Sequence, residues 1–129
     1  MTLVDTSAWI EFLRKQGEPS VRNRVAAYLD LGAAAYCGPV ELELLVGARP
    51  AELAAVRAAL RFATLLDFHP SCWRAAAGLE KRLRGAGVTV PRDDILVAVV
   101  AIHHRVAVYA RDPHFALMRD KAGVQIRLD

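Results

Sequence analysis

Four acidic residues lie where a strand-and-helix chain could gather them: Asp5, Glu43, Asp94 and Asp112. Asp5 follows the apolar run Leu3-Val4, and Asp112 follows the run Val106 to Ala110. Asp94 opens an apolar helix, and Glu43 sits on a helix that begins at Pro39. Taken singly, each aspartate reads as a helix cap, worth about 1 kcal/mol through orphan amide N–H groups. Glu43 alone reads as an exposed helix residue. Gathered at one end of a sheet, the four would repel one another unless a cation lay among them. Oxygen ligands, with no histidine or cysteine at chelating spacing, select Mg2+ or Mn2+ over zinc. An ion held by few carboxylates keeps open positions for phosphate oxygens, which suits phosphodiester hydrolysis.

The surrounding charge agrees with that chemistry. With the four acids set aside, 17 basic residues face 10 acidic ones, a balance of +7. An acidic pit in a basic body is the field expected of a protein that holds a polyanion over a metal.

The elements that must position these residues alternate. Strands are expected at Leu3-Val4, Ala34–Cys37, Leu65–Phe68, Val106–Ala110 and Val124–Leu128. Helices are expected from Ala8 to about Lys15, Val21–Leu31, Pro39–Val46, Ala51 to about Ala63, Pro70–Arg84, Asp93–His104 and about 113–120. The strands are apolar throughout rather than alternating, which points to an α/β fold whose mostly parallel sheet is covered on both faces. In such sheets ligands bind at the carboxyl ends of the strands, near the point where strand order reverses.

The 129 residues are one domain's worth of chain, 1–129, with no repeat or linker to divide them. At 54% hydrophobic and 24% charged the chain builds a core, which excludes wholesale disorder. The longest apolar run, Ile95–Ile102, falls well short of the roughly 18 residues of a membrane span. Met1-Thr2-Leu3-Val4 runs straight into Asp5, so no signal peptide is expected. Cys37 and Cys72 lack metal or disulfide spacing and read as core residues of a cytoplasmic protein.

Four segments then carry a resemblance: Val4-Asp5-Thr6-Ser7-Ala8-Trp9-Ile10, Glu43-Leu44-Leu45-Val46-Gly47-Ala48, Val90-Pro91-Arg92-Asp93-Asp94-Ile95-Leu96-Val97-Ala98, and Ala110-Arg111-Asp112-Pro113-His114-Phe115. In that order, over nearly the whole chain, they resemble the signature segments of PIN-domain ribonucleases, and most closely the VapC toxins. The resemblance implies a three-layer α/β/α sandwich and a metal-dependent endoribonuclease that inhibits translation as the toxin of a toxin–antitoxin pair. It also implies an RNA substrate, products ending in 3′-hydroxyl and 5′-phosphate, and neutralisation by a small VapB-type antitoxin. A homodimer or an antitoxin-bound hetero-oligomer is the expected assembly.

Residue by residue, Asp5, Glu43, Asp94 and Asp112 match the family's acidic quartet. Asp5, Asp94 and Asp112 would hold Mg2+, or Mn2+, with Glu43 as a further ligand or as the base orienting a water. Glu41 and Asp93 are rivals. Gly47, four residues after Glu43, and the apolar run after Asp94 favour the assigned pair, and Asp93 is placed as the helix N-cap. Thr6 and Ser7 match the family's hydroxyl positions or cap the first helix. Arg92 and His114 depart from the pattern, standing where relatives carry further acids; this favours one firmly bound ion. His114 is a candidate RNA contact, Arg111 either reaches a phosphate or pairs with the acids, and His103-His104 read as C-terminal capping residues. A dehalogenase-type phosphotransferase would need an acid at Ser7, and no phosphate-binding glycine loop is present. The alternative from another class is an idle PIN-like module that holds RNA or an antitoxin without cutting.

Overall fold

The computed structural model describes all residues, 1–129. Its elements run β1 (Thr2–Val4), α1 (Thr6–Leu13), α2 (Pro19–Asp30), β2 (Ala34–Cys37), α3 (Gly38–Gly47), a 3-10 turn (Pro50–Glu52), α4 (Leu53–Arg61), β3 (Thr64–Leu66), α5 (Ser71–Gly85), α6 (Arg92–His104), β4 (Ala107–Tyr109) and α7 (His114–Ala122). The four strands form one parallel sheet in the order β3-β2-β1-β4. Leu3 pairs with Ala35 on one side and with Val108 on the other. Leu3, Val4, Ala35 and Cys37 are wholly buried, as strands covered on both faces must be.

From β1 the chain steps outward through β2 to β3, then returns to add β4 on the opposite side of β1. The reversal therefore lies between β1 and β4. Their carboxyl ends flank the crevice where an open α/β sheet binds ligands. Asp5 comes directly after β1, and Asp112 three residues after β4.

Helix α6 is the internal wall of the molecule. Val97, Ala98, Val100 and Ala101 are fully buried, so its stretch of small and β-branched residues packs on every side. Trp9 of α1 and Phe115 of α7 are also buried, joining one connected apolar cluster. Ile10, next to Trp9, stays 47% exposed, because α1 buries only one stripe.

Three expectations need correction. The segment Val124–Leu128 is not a fifth strand; it makes a single parallel bridge, Leu128 to Val108. The N–H of Ile126 turns back to the carbonyl of Val124 at 2.9 Å, a tight turn that withdraws it from any ladder. Asp93 is not an N-cap: α6 starts one residue earlier, after Pro91, whose ring fixes the extended entry. Helix α1 starts at Thr6 rather than Ala8, because Asp5 itself caps it.

Candidate metal centre

Asp5 is held by the turn it makes. Its backbone is extended while α1 begins after it, and its Oδ2 accepts from the Ser7 N–H at 3.1 Å and the Ser7 hydroxyl at 2.7 Å. Its Oδ1 is buried without any hydrogen-bond partner, and the residue is 2% exposed. An unsatisfied carboxylate oxygen in such a place costs free energy unless something positive meets it.

Ser7 binds both sides of the crevice. While its hydroxyl donates to Asp5, its Oγ accepts from the Arg111 N–H at 2.9 Å and the Asp112 N–H at 3.4 Å. One side chain thus fixes the loop after β1 to the loop after β4. Thr6 does the same for α3: its hydroxyl donates to Glu43 Oε1 at 2.8 Å. The two hydroxyls position two of the acids and neither caps α1, whose capping bond runs from the Ser7 N–H to Asp5 Oδ2.

The first turn of α6 brings Asp94, 6% exposed, into the crevice. His114 Nδ1 lies 2.5 Å from Asp94 Oδ2 and 3.3 Å from Asp112 Oδ1, and the His114 N–H donates to Asp112 Oδ1 at 3.0 Å. Asp94, Asp112 and His114 each offer a ligating atom, all within 4.8 Å of one another. The tightest cluster is therefore these three, with Asp5 and Glu43 around it.

Electrostatics bind the set together. Burial pushes the Asp5 carboxyl up from 3.8 to about 7 against the Ser7 hydrogen bonds, with the charges of Asp112 and Asp94 adding to the rise. Burial and then the Asp112 charge raise Asp94 from 3.8 to about 6, partly offset by His114. Burial also raises Glu43, opposed by the Thr6 bond, with Asp93 and Asp112 repelling it. Asp5, Glu43 and Asp94 therefore all feel the charge of Asp112. Carboxyls whose charged forms are disfavoured by burial and by one another gain from a cation placed among them.

Several residues land elsewhere than expected. Burial, and then the charge of Glu41, raises Tyr36, whereas it is Glu43 that bonds Thr6 and feels Asp112. Arg111 neither joins the acids nor stands free; its Nε contacts Glu18 Oε2 at 2.6 Å. His104 bonds the Asp67 carbonyl at 2.7 Å and His103 stacks on His69, so both tie α6 to the β3–α5 loop rather than to carbonyls of their own helix. Two residues take roles other than those expected: His114, read as an RNA contact, partners two carboxylates, and Asp93, read as the N-cap, is a charge beside Glu43. The signal for His114 was its place two residues after Asp112, where family members carry an acid.

Comparison with known proteins places this geometry. Residues 2–121 match the PIN domain family, and the chain belongs to it. Within that family it groups with the VapC ribonucleases. It is 34% identical to Ribonuclease VapC11 of Mycobacterium tuberculosis strain H37Rv, covering 97% of this chain and 96% of the relative. The same identity and coverage hold for VapC ribonuclease Mb1587 of Mycobacterium bovis. Among solved structures, VapBC2 of Rickettsia felis bound to a promoter DNA fragment superposes with a TM-score of 0.81 at 16% identity, covering 99% of this chain and 96% of that one. FitAcB of Neisseria gonorrhoeae superposes at 0.69 with 20% identity, covering 98% and 96%. The α/β/α sandwich expected from the sequence is thus the fold these neighbours share.

Proposed function

We propose that the chain is a metal-dependent endoribonuclease and the toxin of a toxin–antitoxin pair, a single PIN-like domain that inhibits translation by hydrolysing RNA. The observation that carries this reading is the convergence of Asp94, Asp112 and His114 beside the partnerless Oδ1 of buried Asp5. The donor set is dominated by carboxylate oxygen and fits Mg2+ or Mn2+. Asp5, Asp94 and Asp112 would hold the ion, with Glu43 as a further ligand or as the base that orients a water.

Such an ion, when bound, acidifies water and offsets negative charge on phosphoryl oxygens. The chain's own residues prepare for that chemistry. Ser7 and Thr6 fix the acids before substrate arrives, so little reorganisation remains. His114 contacts Asp94 and sets its orientation, the part an outer partner plays around a ligand. The basic body attracts the RNA.

Names of the relatives support the partners: VapC ribonucleases by sequence, and VapBC and toxin–antitoxin complexes by structure. A small VapB-type antitoxin is the expected inhibitor, in a homodimer or hetero-oligomer in the cytoplasm. No helix is long and apolar enough to cross a membrane.

The test is cleavage of a structured RNA with Mg2+ or Mn2+, halted by EDTA, and abolished by Asp5→Asn and by Asp94→Asn in folded protein. In cells, expression should stop growth, and the small protein encoded next to it should restore it. RNA that is bound but never cut would turn the reading to the idle module.

A further inference from the structure

A second recognition surface adjoins the acid crevice. Behind the first turn of α6 lies a cleft of about 270 Å³ lined by Glu80, Leu83, Arg84, Val88, Arg92 and Ile95 among others. Its floor is apolar: Leu83, Val88 and Ile95 are buried. Its rim is cationic. Arg92 Nε and Nη2 reach Glu80 Oε1 and Oε2 at 2.8 and 2.9 Å, and Arg84 Nη2 reaches Glu80 Oε2 at 2.9 Å. Two guanidiniums on one carboxylate leave the rim with a charge of +1.

Those arginines are held in place yet not used up. Their side chains are 72% and 71% exposed, while Glu80 is 22% exposed. Arg84 spends one donor atom and Arg92 two, out of five N–H bonds each, so the remainder face solvent in a fixed fork. Exposed ion pairs of this kind contribute little to stability. Their organisation is better explained by an anion that they jointly receive. An apolar floor under a guanidinium rim matches a nucleotide, with its phosphate on the fork and its base or ribose over the floor.

The position ties the cleft to the crevice. Arg92 and Ile95 face the cleft, and Asp94 between them faces the carboxylates. The two sites are thus opposite sides of one helical turn, roughly 10 Å apart. A strand running over the end of α6 covers that gap with about one or two nucleotides.

We infer that this cleft receives a ribonucleotide flanking the cut, with Arg84 and Arg92 as phosphate-positioning residues and Glu80 as the carboxylate that pre-sets their fork. The inference rests on the ribonuclease reading. It assigns to the cleft a part in holding RNA and none in the hydrolysis itself.

The test is binding of a short fluorescein-labelled single-stranded RNA to the full chain in EDTA, across a salt series, followed by steady-state cleavage with Mg2+. Arg84→Ala and Arg92→Ala should each weaken binding about 5- to 10-fold and lower the salt slope by about 1. In cleavage they should raise KM and leave kcat within about twofold. Glu80→Gln separates recognition from structure: its amide oxygen still accepts from a guanidinium and keeps the fork, while the competing negative charge is gone, so RNA binding should be kept or tighten. If Glu80→Gln weakens binding as much as the arginine variants, the trio is a structural clasp and the inference fails. Unchanged affinity and salt slope in Arg84→Ala and Arg92→Ala would overturn it equally. A wild-type chain that binds the probe in this arginine-dependent way but cuts nothing would sink the ribonuclease reading and leave the cleft standing.

Discussion

Replacing Asp5 by Asn tests whether the crevice is built around a missing positive charge. Asp5 is 2% exposed, and its carboxyl is raised from 3.8 to about 7, first by burial and then by Asp112 and Asp94. A raised carboxyl contributes stability in full below its unfolded value and loses it as pH rises through the folded one. Between pH 5 and pH 8 that loss is about 2.5 kcal/mol from Asp5 alone. Asn keeps an oxygen for the two Ser7 contacts but carries no charge. Urea unfolding in EDTA should therefore show wild-type protein losing about 4 kcal/mol from pH 5 to pH 8, since Asp94, raised to about 6, adds about 1.4 kcal/mol to the Asp5 share, and Asp5→Asn losing less than half as much. Adding Mg2+ at pH 8 should restore the wild type by about 2.7 kcal/mol at a hundredfold excess over Kd, and leave the variant unmoved. A wild type more stable at pH 8 than at pH 5 without metal would exclude a buried, raised Asp5 carboxyl. So would a variant with an unchanged pH slope.

Three further outcomes follow from the same contacts. Ser7→Ala removes the Asp5 contact and the acceptor for two loop N–H groups, so thermal unfolding should show a loss of about 1 to 3 kcal/mol, with RNA cleavage falling in parallel. His114→Ala should slow cleavage and weaken Mn2+ affinity in calorimetry by about 10- to 100-fold, the cost of losing a partner that orients a ligand; equal affinity would remove His114 from the centre. Asp129 has its carboxyl held below the usual range by the Tyr28 hydroxyl at 2.5 Å, then by Thr2 and Arg24. Its contribution is present above the unfolded value and is lost as pH falls through the folded one. Tyr28→Phe should then cost about 1 kcal/mol at pH 7 and progressively less below pH 4, read by denaturant titration.

Much of the architecture is legible because its strands are short apolar runs and its helices are punctuated. Leu3-Val4 before Asp5, and Ala34–Cys37 before Gly38-Pro39, leave little choice of period or boundary. The misreadings have local causes. Val124–Leu128 carries a strand-like composition, and only the Ile126–Val124 turn, invisible to composition, removes it from the sheet. Asp93 looks like a cap because Asp favours that role, but Pro91 already fixes the entry to α6 and places the helix one residue earlier. At the centre, spacing and charge point to Asp5, Asp94 and Asp112, each of which follows a strand or opens a helix, while Glu43 lies inside α3 and stands out only through Gly47 and the family resemblance. The partnerships among them need three dimensions. Ser7 reaches the Arg111–Asp112 backbone across more than a hundred residues, and Arg111 turns away to Glu18. No periodicity encodes such contacts.

If these acids share a divalent ion, anomalous diffraction from crystals of the chain grown with Mn2+ will show it in place. One strong peak is expected within coordination distance of Asp94 and Asp112 and facing Asp5 Oδ1, absent after EDTA and absent in Asp94→Asn. Manganese found only elsewhere on the surface, or a crevice that stays empty at Mn2+ concentrations supporting RNA cleavage, would contradict it.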